Sequence, residues 1–343
     1  MGYPGRFVLI FLIVFFCLSP GSVTAAEKAP LRGVGQFEVP GWFKRSFLDL
    51  NQDVIEATQH GKRLMVYFGQ NGCPYCAELF NNNFSQPHIL EYTRRHFDAV
   101  EINIWGSREV TGFSGKSLSE KEFSSNLRVW FTPAILFFNE NSETVLRLNG
   151  YYPPHQFLAA LQYVAEKQES KLPFSEYLVK HAPSASRGVL NQKSFFAKPP
   201  YDLKDISFER PVVVFFEQKD CSGCDRMHDD TLALSETETL LSRFHSVQLD
   251  RWNTIPIVTP GGKRTTARQW ADEINVVYVP TIVLFANGRE VIRIEAQFKS
   301  FHIQSALDYV ASGAYKTQPS VQKFIQQRVD HLREQGVTVD IWK

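Results

Sequence analysis

Apolar positions along this chain fall into runs of strand length and stripes of helical period, and the same order of runs occurs twice. The first set opens with Arg63-Leu64-Met65-Val66-Tyr67-Phe68 and the second with Pro211-Val212-Val213-Val214-Phe215-Phe216. Apolar runs of this length predict strands. Two helical stretches follow in each set, 77–84 and 87–96 in the first, 225–232 and 236–245 in the second. A strand is predicted over 99–104 and again over 247–250, and a helix over 119–127 and 266–274. Thr132-Pro133-Ala134-Ile135-Leu136-Phe137-Phe138 then matches Val279-Pro280-Thr281-Ile282-Val283-Leu284-Phe285. A turn, a further strand and a closing helix end each set, the helices over 154–166 and 298–312.

The two sets keep register. Cys73 recurs as Cys221, 148 positions on, and Pro133 recurs as Pro280, 147 positions on. A repeat of about 110 residues per copy is a duplicated structural unit. Between the copies, 167–201 is rich in Ser, Pro and Lys without a long period and reads as linker plus lead-in. After the second copy, Val321, Phe324, Ile325, Val329 and Leu332 recur at three- and four-residue steps. That spacing predicts an amphipathic tail helix over 319–335, either packed on the second copy or forming a dimer face. Trp105, Trp130, Trp252 and Trp270 flank the loops after the middle strands, where packing is the plainer role for an aromatic. The segment between the middle strand and the next helix is long enough to form a hairpin, which would restrict access to a site or pack the copies together. Gly115-Lys116-Ser117 is not a phosphate loop, because Val110 stands where that loop needs Gly.

The N-terminus has a different pattern. Phe7 to Leu18 is an unbroken apolar run of 12 residues behind Arg6. Ser19, Pro20 and Gly21 break it, and Val23, Thr24, Ala25 and Ala26 follow. This order predicts a secretory signal peptide over 1–26, cleaved after Ala25 or Ala26. The run is too short to cross a bilayer as a helix, although an uncleaved N-terminal anchor is the other reading. The expected location is therefore periplasmic or secreted. Phe16 beside Cys17 disfavours lipid attachment there. Asn83-Phe84-Ser85 is a glycosylation pattern that one tripeptide leaves uninformative.

Composition narrows the class further. Of 343 residues, 43% are hydrophobic and 21% charged, which excludes a disordered, collagenous or multi-span membrane chain. The length suits two or three domains. The net charge is +1, and a near-neutral chain lacks the basic footprint of a nucleic-acid binder.

The chemistry lies in the cysteines. Of five, Cys17 falls in the signal segment, and Cys73, Cys76, Cys221 and Cys224 form two C-x-x-C pairs. A bridge inside C-x-x-C closes so small a loop that it constrains the unfolded chain little. Cysteines placed for so little stability point to chemistry rather than stapling. Zinc is the alternative, across the copies or with His228, but a ribbon wants its pairs about 15–20 residues apart.

The order β–(CxxC)α–β–α–β–β–α, with Thr-Pro or Val-Pro opening the third strand, resembles the thioredoxin fold over nearly all of the chain beyond the signal segment, twice. It is most similar to thioredoxin-related periplasmic proteins of sulfur oxidation and cytochrome c maturation. The implied fold class is α/β, two tandem thioredoxin-like domains, each a central mixed sheet flanked by helices. The domains expected are 40–169 with Cys-Pro-Tyr-Cys and 201–316 with Cys-Ser-Gly-Cys, joined by a linker over 170–200 and followed by a helical tail over 317–343. Cys73 and Cys221 then sit where a helix begins, and its free N–H groups favour a thiolate. Cys76 and Cys224, one turn on, resolve the mixed disulfide. The resemblance implies cis peptide bonds at Pro133 and Pro280, with Thr132, Pro133, Val279 and Pro280 offering backbone to the substrate.

The chain departs from that family in two places. Its buried acid stands six residues before the first Cys and a Trp directly before it. Here those positions hold Tyr67 and Phe215, then Gly72 and Asp220. Glu217 reads either as a substitute acid in the second copy or, more plainly, as a solvated strand-end acid. Pro74 suits the first helical position, Gly223 loosens the second helix start, and Asp220 and Asp225 flank the second pair under solvent screening, so the side chains favour a faster Cys73 than Cys221. The function expected is a thiol–disulfide oxidoreductase, a reductase of protein disulfides fed by a membrane thiol carrier. It needs no cofactor, no metal and no nucleic acid, and its oligomeric state stays open. The alternatives are an oxidase or isomerase, a redox-inactive binding module and a metal carrier.

Overall fold

A computed structural model describes residues 1–2, 28–183 and 185–343. The expected signal peptide lies, apart from its first two residues, outside the described residues. The remaining chain builds two four-stranded mixed sheets of the same topology. In the first, Arg63–Gly69 lies between Phe97–Asn103, its parallel neighbour, and Ala134–Phe138, antiparallel, with Thr144–Asn149 at the edge. In the second, Val212–Glu217 takes the same place between His245–Asp250 and Thr281–Ala286, with Arg289–Glu295 at the edge.

The apolar runs explain the layers. Every residue of Arg63–Gly69 and of Val212–Glu217 is buried, as a central strand covered on both faces requires. Side chains alternate across a strand. Leu64, Val66 and Phe68 therefore join one core with Leu50 and Val54 of the helix Leu50–Gln59. Met65 and Tyr67 join the opposite core with Ile89 of Pro87–His96 and Phe157 of Pro154–Ala165. The second unit divides its core in the same way, with Val212, Val214 and Phe216 on one face and Val213 and Phe215 on the other.

The long segments after the middle strands fold as hairpins, Glu109–Thr111 with Ser117–Ser119 and Pro256–Val258 with Arg264–Thr266. Each packs on its own unit: Thr111 N–H donates to Leu48 O, and Ile257 pairs with Tyr201. The linker reading of 170–200 is incomplete. Phe174–His181 is a helix whose Phe174, Tyr177 and Leu178 enter the first unit's core beside Tyr163. Its apolar stripe is only about one turn long, too short to show as a period in the sequence.

The tail helix Val321–Glu334 buries Val321, Ile325 and Val329 in the core of the second unit. Its Gln322 also reaches the first unit, where it bonds Gln70 and the Trp130 carbonyl. Beyond it, Val339–Asp340 pairs in parallel with Leu31–Arg32, so the two ends of the described main body meet.

The units face each other through corresponding segments. Tyr151 bridges Gln297, and Asn149 Nδ2 donates to Glu295 Oε2. Phe131, just before one X-Pro bond, packs edge-on to Phe298, with ring centroids 5.0 Å apart. Its counterpart Tyr278 packs on Tyr152 at 4.5 Å and donates its hydroxyl to Gln156 Oε1 at 2.7 Å.

Candidate functional site

Each C-x-x-C pair stands where a central strand turns into a helix. Cys73 is the N-cap of Pro74–Glu78, and its Sγ accepts the Cys76 N–H at 3.0 Å. Cys221 caps Ser222–Arg226 and accepts the Cys224 N–H at the same distance. Pro74 fills the first helical position, where its missing N–H leaves nothing unsatisfied. Both pairs are bonded, Cys73 to Cys76 and Cys221 to Cys224, with Cα separations of 5.3 and 5.2 Å.

The X-Pro loops meet these turns. Thr132–Pro133 and Val279–Pro280 are cis, as is Pro199–Pro200, which the sequence did not signal. The Thr132 carbonyl oxygen lies 3.4 Å from Cys73 Sγ. A Cβ at Gly223 would stand 3.0 Å from Pro280 Cδ. Gly223 therefore serves close approach of the proline more than it loosens a helix start.

A glutamine bonded to a tryptophan recurs in both units, supporting the X-Pro loop in the first and the turn before Cys221 in the second, a device that sequence reasoning missed. Trp105 Nε1 donates to Gln70 Oε1 at 2.7 Å, and Gln70 Nε2 donates to Thr132 Oγ1 at 3.1 Å. In the second unit Trp252 Nε1 donates to Gln218 Oε1 at 2.9 Å, and Gln218 Nε2 donates to the Asp220 carbonyl. The signal was present in the sequence, because Gln70 and Trp105 recur in register as Gln218 and Trp252. Trp270 is plain core packing.

Access differs between the sites. Cys73 is 3% exposed and Cys221 5%. Over Cys73 runs the segment after Leu31–Arg32, where Gly35 N–H donates to Gly72 O at 3.0 Å. A Cβ at Gly35 would lie 2.2 Å from the Cys73 carbonyl oxygen, so only Gly fits. Tyr75, inside the first motif, is buried against the second unit. Its ring packs on Phe298 and Trp342, at 4.9 and 5.0 Å. Its hydroxyl accepts the Lys299 N–H at 2.8 Å and lies 3.2 Å from His302 Nδ1. Burial pushes His302 down to about 4, so its ring is neutral near pH 7 and shares a neutral hydrogen bond with the tyrosine hydroxyl. Cys221, by contrast, borders a cavity between the units.

Two readings of acids near the second motif are corrected. Glu217 is not solvated. It is fully buried, and its two carboxylate oxygens lie 3.0 and 3.1 Å from His228 Nε2. The strand end is covered because the helix after Cys224 lays His228 over it. Asp225 is not under solvent screening either. It is buried and accepts from Arg187 N–H and Asn191 Nδ2, which arrive from the segment leading into the second unit. In the first unit burial, aided by the Glu101 charge, pushes the Tyr67 phenol well above its usual range. Among the described residues no three His, Cys, Asp or Glu side chains converge on a metal position.

The thioredoxin-like domain model of the protein families matches residues 50–165 and again 207–311. No curated protein matches the chain. Among solved structures, a thioredoxin-fold protein from Helicobacter pylori shares 27% identity, covering 40% of this chain and 92% of its own, with a TM-score of 0.31. A thioredoxin from Thermus thermophilus shares 22% over 41% of this chain and 90% of its own, with a TM-score of 0.28. The oxidised C-terminal domain of Neisseria meningitidis DsbD shares 12% over 33% and 90%, with a TM-score of 0.25.

Proposed function

From the premise that this chain belongs to the thioredoxin-like domain family in both its halves, we propose that it works outside the cytoplasm as a reductase of protein disulfides. It is a thiol–disulfide oxidoreductase. The observation that carries the chemistry is the helix N-cap position of both Cys73 and Cys221, each sulfur accepting a backbone N–H. A thiolate forms readily there and is the attacking species.

In each cycle the Cys73 or Cys221 thiolate attacks a client disulfide, forms a mixed disulfide and releases one client sulfur. Cys76 or Cys224 then attacks that bond and releases the second client sulfur as it closes the internal disulfide. Two electrons leave the dithiol for the client, and its two protons end on the released thiols. Thr132 and Pro133, or Val279 and Pro280, hold the client backbone beside the attacking sulfur. A membrane thiol carrier restores the dithiol. The Cys-Pro-Tyr-Cys motif, similar to those of glutaredoxins and some reductases, supports the reducing direction. The same N–H bond also favours the oxidase reading, because a stabilised thiolate makes its disulfide more oxidising. The apolar run at 7–18 supports an extracytoplasmic site.

Insulin reduction by the full chain and the midpoint potential of each pair test the proposal. Potentials more reducing than about −180 mV, the protein disulfide isomerase value, are expected. Values near about −120 mV would make the protein an oxidase. Fractionation and an intact mass beginning at Ala26 or Glu27 test the location.

A further inference from the structure

We propose that the second redox centre selects disulfides that carry a carboxylate beside the scissile bond, and that Arg251 reads that charge. This rests on the oxidoreductase reading above and deepens it for one site.

Cys221 lines a cavity of about 260 Å³. Gly223 and Val279 border it from the second unit, and Ser175, Leu178 and Val179 close it from the first unit's helix Phe174–His181. Such a volume lies below the range of sites for drug-sized ligands, so it admits a small molecule or the few atoms flanking one cystine sulfur.

Arg251 forms part of the wall and is 3% exposed. Its Nη2 donates to Asp272 Oδ1 at 2.6 Å and to Ser175 Oγ at 3.3 Å. Its Nε and Nη1 are closed off from water and have no hydrogen-bond partner among the described residues. The guanidinium stacks over Trp252, 4.6 Å from the ring centroid. A charged donor left unfilled in a dry wall is costly, and an anion relieves that cost. Nε and Nη1 lie on different edges of the guanidinium, so an anion takes a single charge-assisted bond from one of them. Asp272 is half exposed, so water weakens its hold on the Arg251 charge. Asp220 also lines the cavity but is exposed and receives the Ser186 hydroxyl, so its repulsion is screened. Leu178, Val179 and Val277 offer apolar surface for the body of the ligand. In the first unit Ile104 occupies the place of Arg251, so that site lacks this charge.

The reaction balances as before. The Cys221 thiolate attacks the sulfur nearer the carboxylate, expelling the other half as a thiolate. Cys224 then displaces the carboxylate-bearing half, closing the Cys221–Cys224 bond. Two electrons pass to the ligand, and the two dithiol protons end on its two thiols.

The test uses the full chain with C73S and C76S, reduced, so that only the second site reacts. Single-turnover oxidation rates are measured with dithiodipropionate, hydroxyethyl disulfide and cystamine, which are anionic, neutral and cationic. Two short cystine peptides, one with Glu beside the cysteine and one with Gln, distinguish a peptide source of the carboxylate from a small-molecule source. The anionic member of either series is expected to react about tenfold faster than its neutral partner, the scale of one charge-assisted bond. Arg251→Gln should abolish the ratio and Arg251→Lys keep part of it. If Arg251→Gln fails to fold, Ser175→Asp supplies the second check, since it sets a carboxylate against the Arg251 guanidinium at Nη2 from the other unit, offsets its charge and should remove the preference. Equal rates across charge, or a preference that survives Arg251→Gln or Ser175→Asp, overturn the inference and leave the oxidoreductase reading intact. No reaction with any disulfide overturns both for this site.

Discussion

Glu217 and His228 form a closed pair beside the second motif, the imidazole Nε2 lying 3.0 and 3.1 Å from the two carboxylate oxygens. Neither side chain is more than 2% exposed. His228 stands about one turn beyond Cys224, in the helical stretch that the motif begins. The corresponding residues of the first unit are Gly69 and Phe80. A Cβ at Gly69 would fall 2.2 Å from the Tyr67 hydroxyl, so a phenol fills the space in which a carboxylate chain would start. That phenol is held protonated by burial. The two units therefore share a backbone and differ in what can take a proton.

The resolving cysteine must lose its proton as it attacks, and a positioned acceptor contributes roughly 10²–10⁴-fold to such steps. Glu217→Gln is expected to slow release of the mixed disulfide at Cys221 by tenfold or more, on the low side of about 10²–10⁴, and to leave release at Cys73 unchanged. Trapping the mixed disulfide with a labelled peptide and timing its decay over a range of pH measures this. Equal decay in both proteins at every pH would make the pair structural only. Removing one partner of a buried pair also costs about 3–5 kcal/mol. Glu217→Leu should therefore lower the urea midpoint more than Glu217→Leu with His228→Phe does.

The duplicated pattern already fixes which residues build the two sheets, because Val212 to Phe216 and Leu64 to Phe68 are apolar at every position and can only be central strands. The C-x-x-C turns and the cis prolines follow from the same register. What the sequence hides is how the units meet. Tyr75 reads as a spacer between two cysteines, yet its ring contacts Phe298 and Trp342, more than two hundred positions away. Glu217 reads as a strand-end acid because its cover, His228, arrives from a helix whose rotation no local period reveals. Gly35 looks like any turn glycine until the Cys73 carbonyl is placed beneath it. Each miss is a contact between segments that share no local pattern.

The contact between Tyr75 and His302 makes the docking of the units sensitive to acid. Burial lowers His302 to about 4 from an ordinary 6.5. Between these values the unfolded chain binds the proton and the folded chain does not. Stability from this group is therefore fully present above about pH 6.5 and is lost as pH falls toward 4. The loss amounts to about 3 kcal/mol at most. Urea unfolding at about pH 7.5 and about pH 4.5 should show a larger drop for the native chain than for His302→Leu. Parallel drops would mean that the imidazole is not excluded from water as its position implies.

Charges alone favour Cys73 as the faster nucleophile, whereas packing opposes it. Its cover is held by a backbone bond from Gly35 to Gly72, and Tyr75 pins the same turn to the second unit. Cys221 instead faces a cavity of about 260 Å³, large enough for a small alkylating agent. An opening step before reaction slows the rate tenfold for each 1.4 kcal/mol or so of opening free energy. In reduced Cys76→Ser and Cys224→Ser chains, iodoacetamide should therefore modify Cys221 about tenfold faster than Cys73. Gly35→Ala puts a methyl where the Cys73 carbonyl stands and must lift the segment. That single change should raise the Cys73 rate to or above that of Cys221, because the thiolate at a Pro-capped helix start then meets solvent with no acid beside it. Deleting residues 337–343 should act in the same direction, since it removes both Trp342 from Tyr75 and the strand that anchors Leu31–Arg32. A Cys73 that already alkylates faster in the native chain, or that ignores both changes, would show that the covering segment is no barrier.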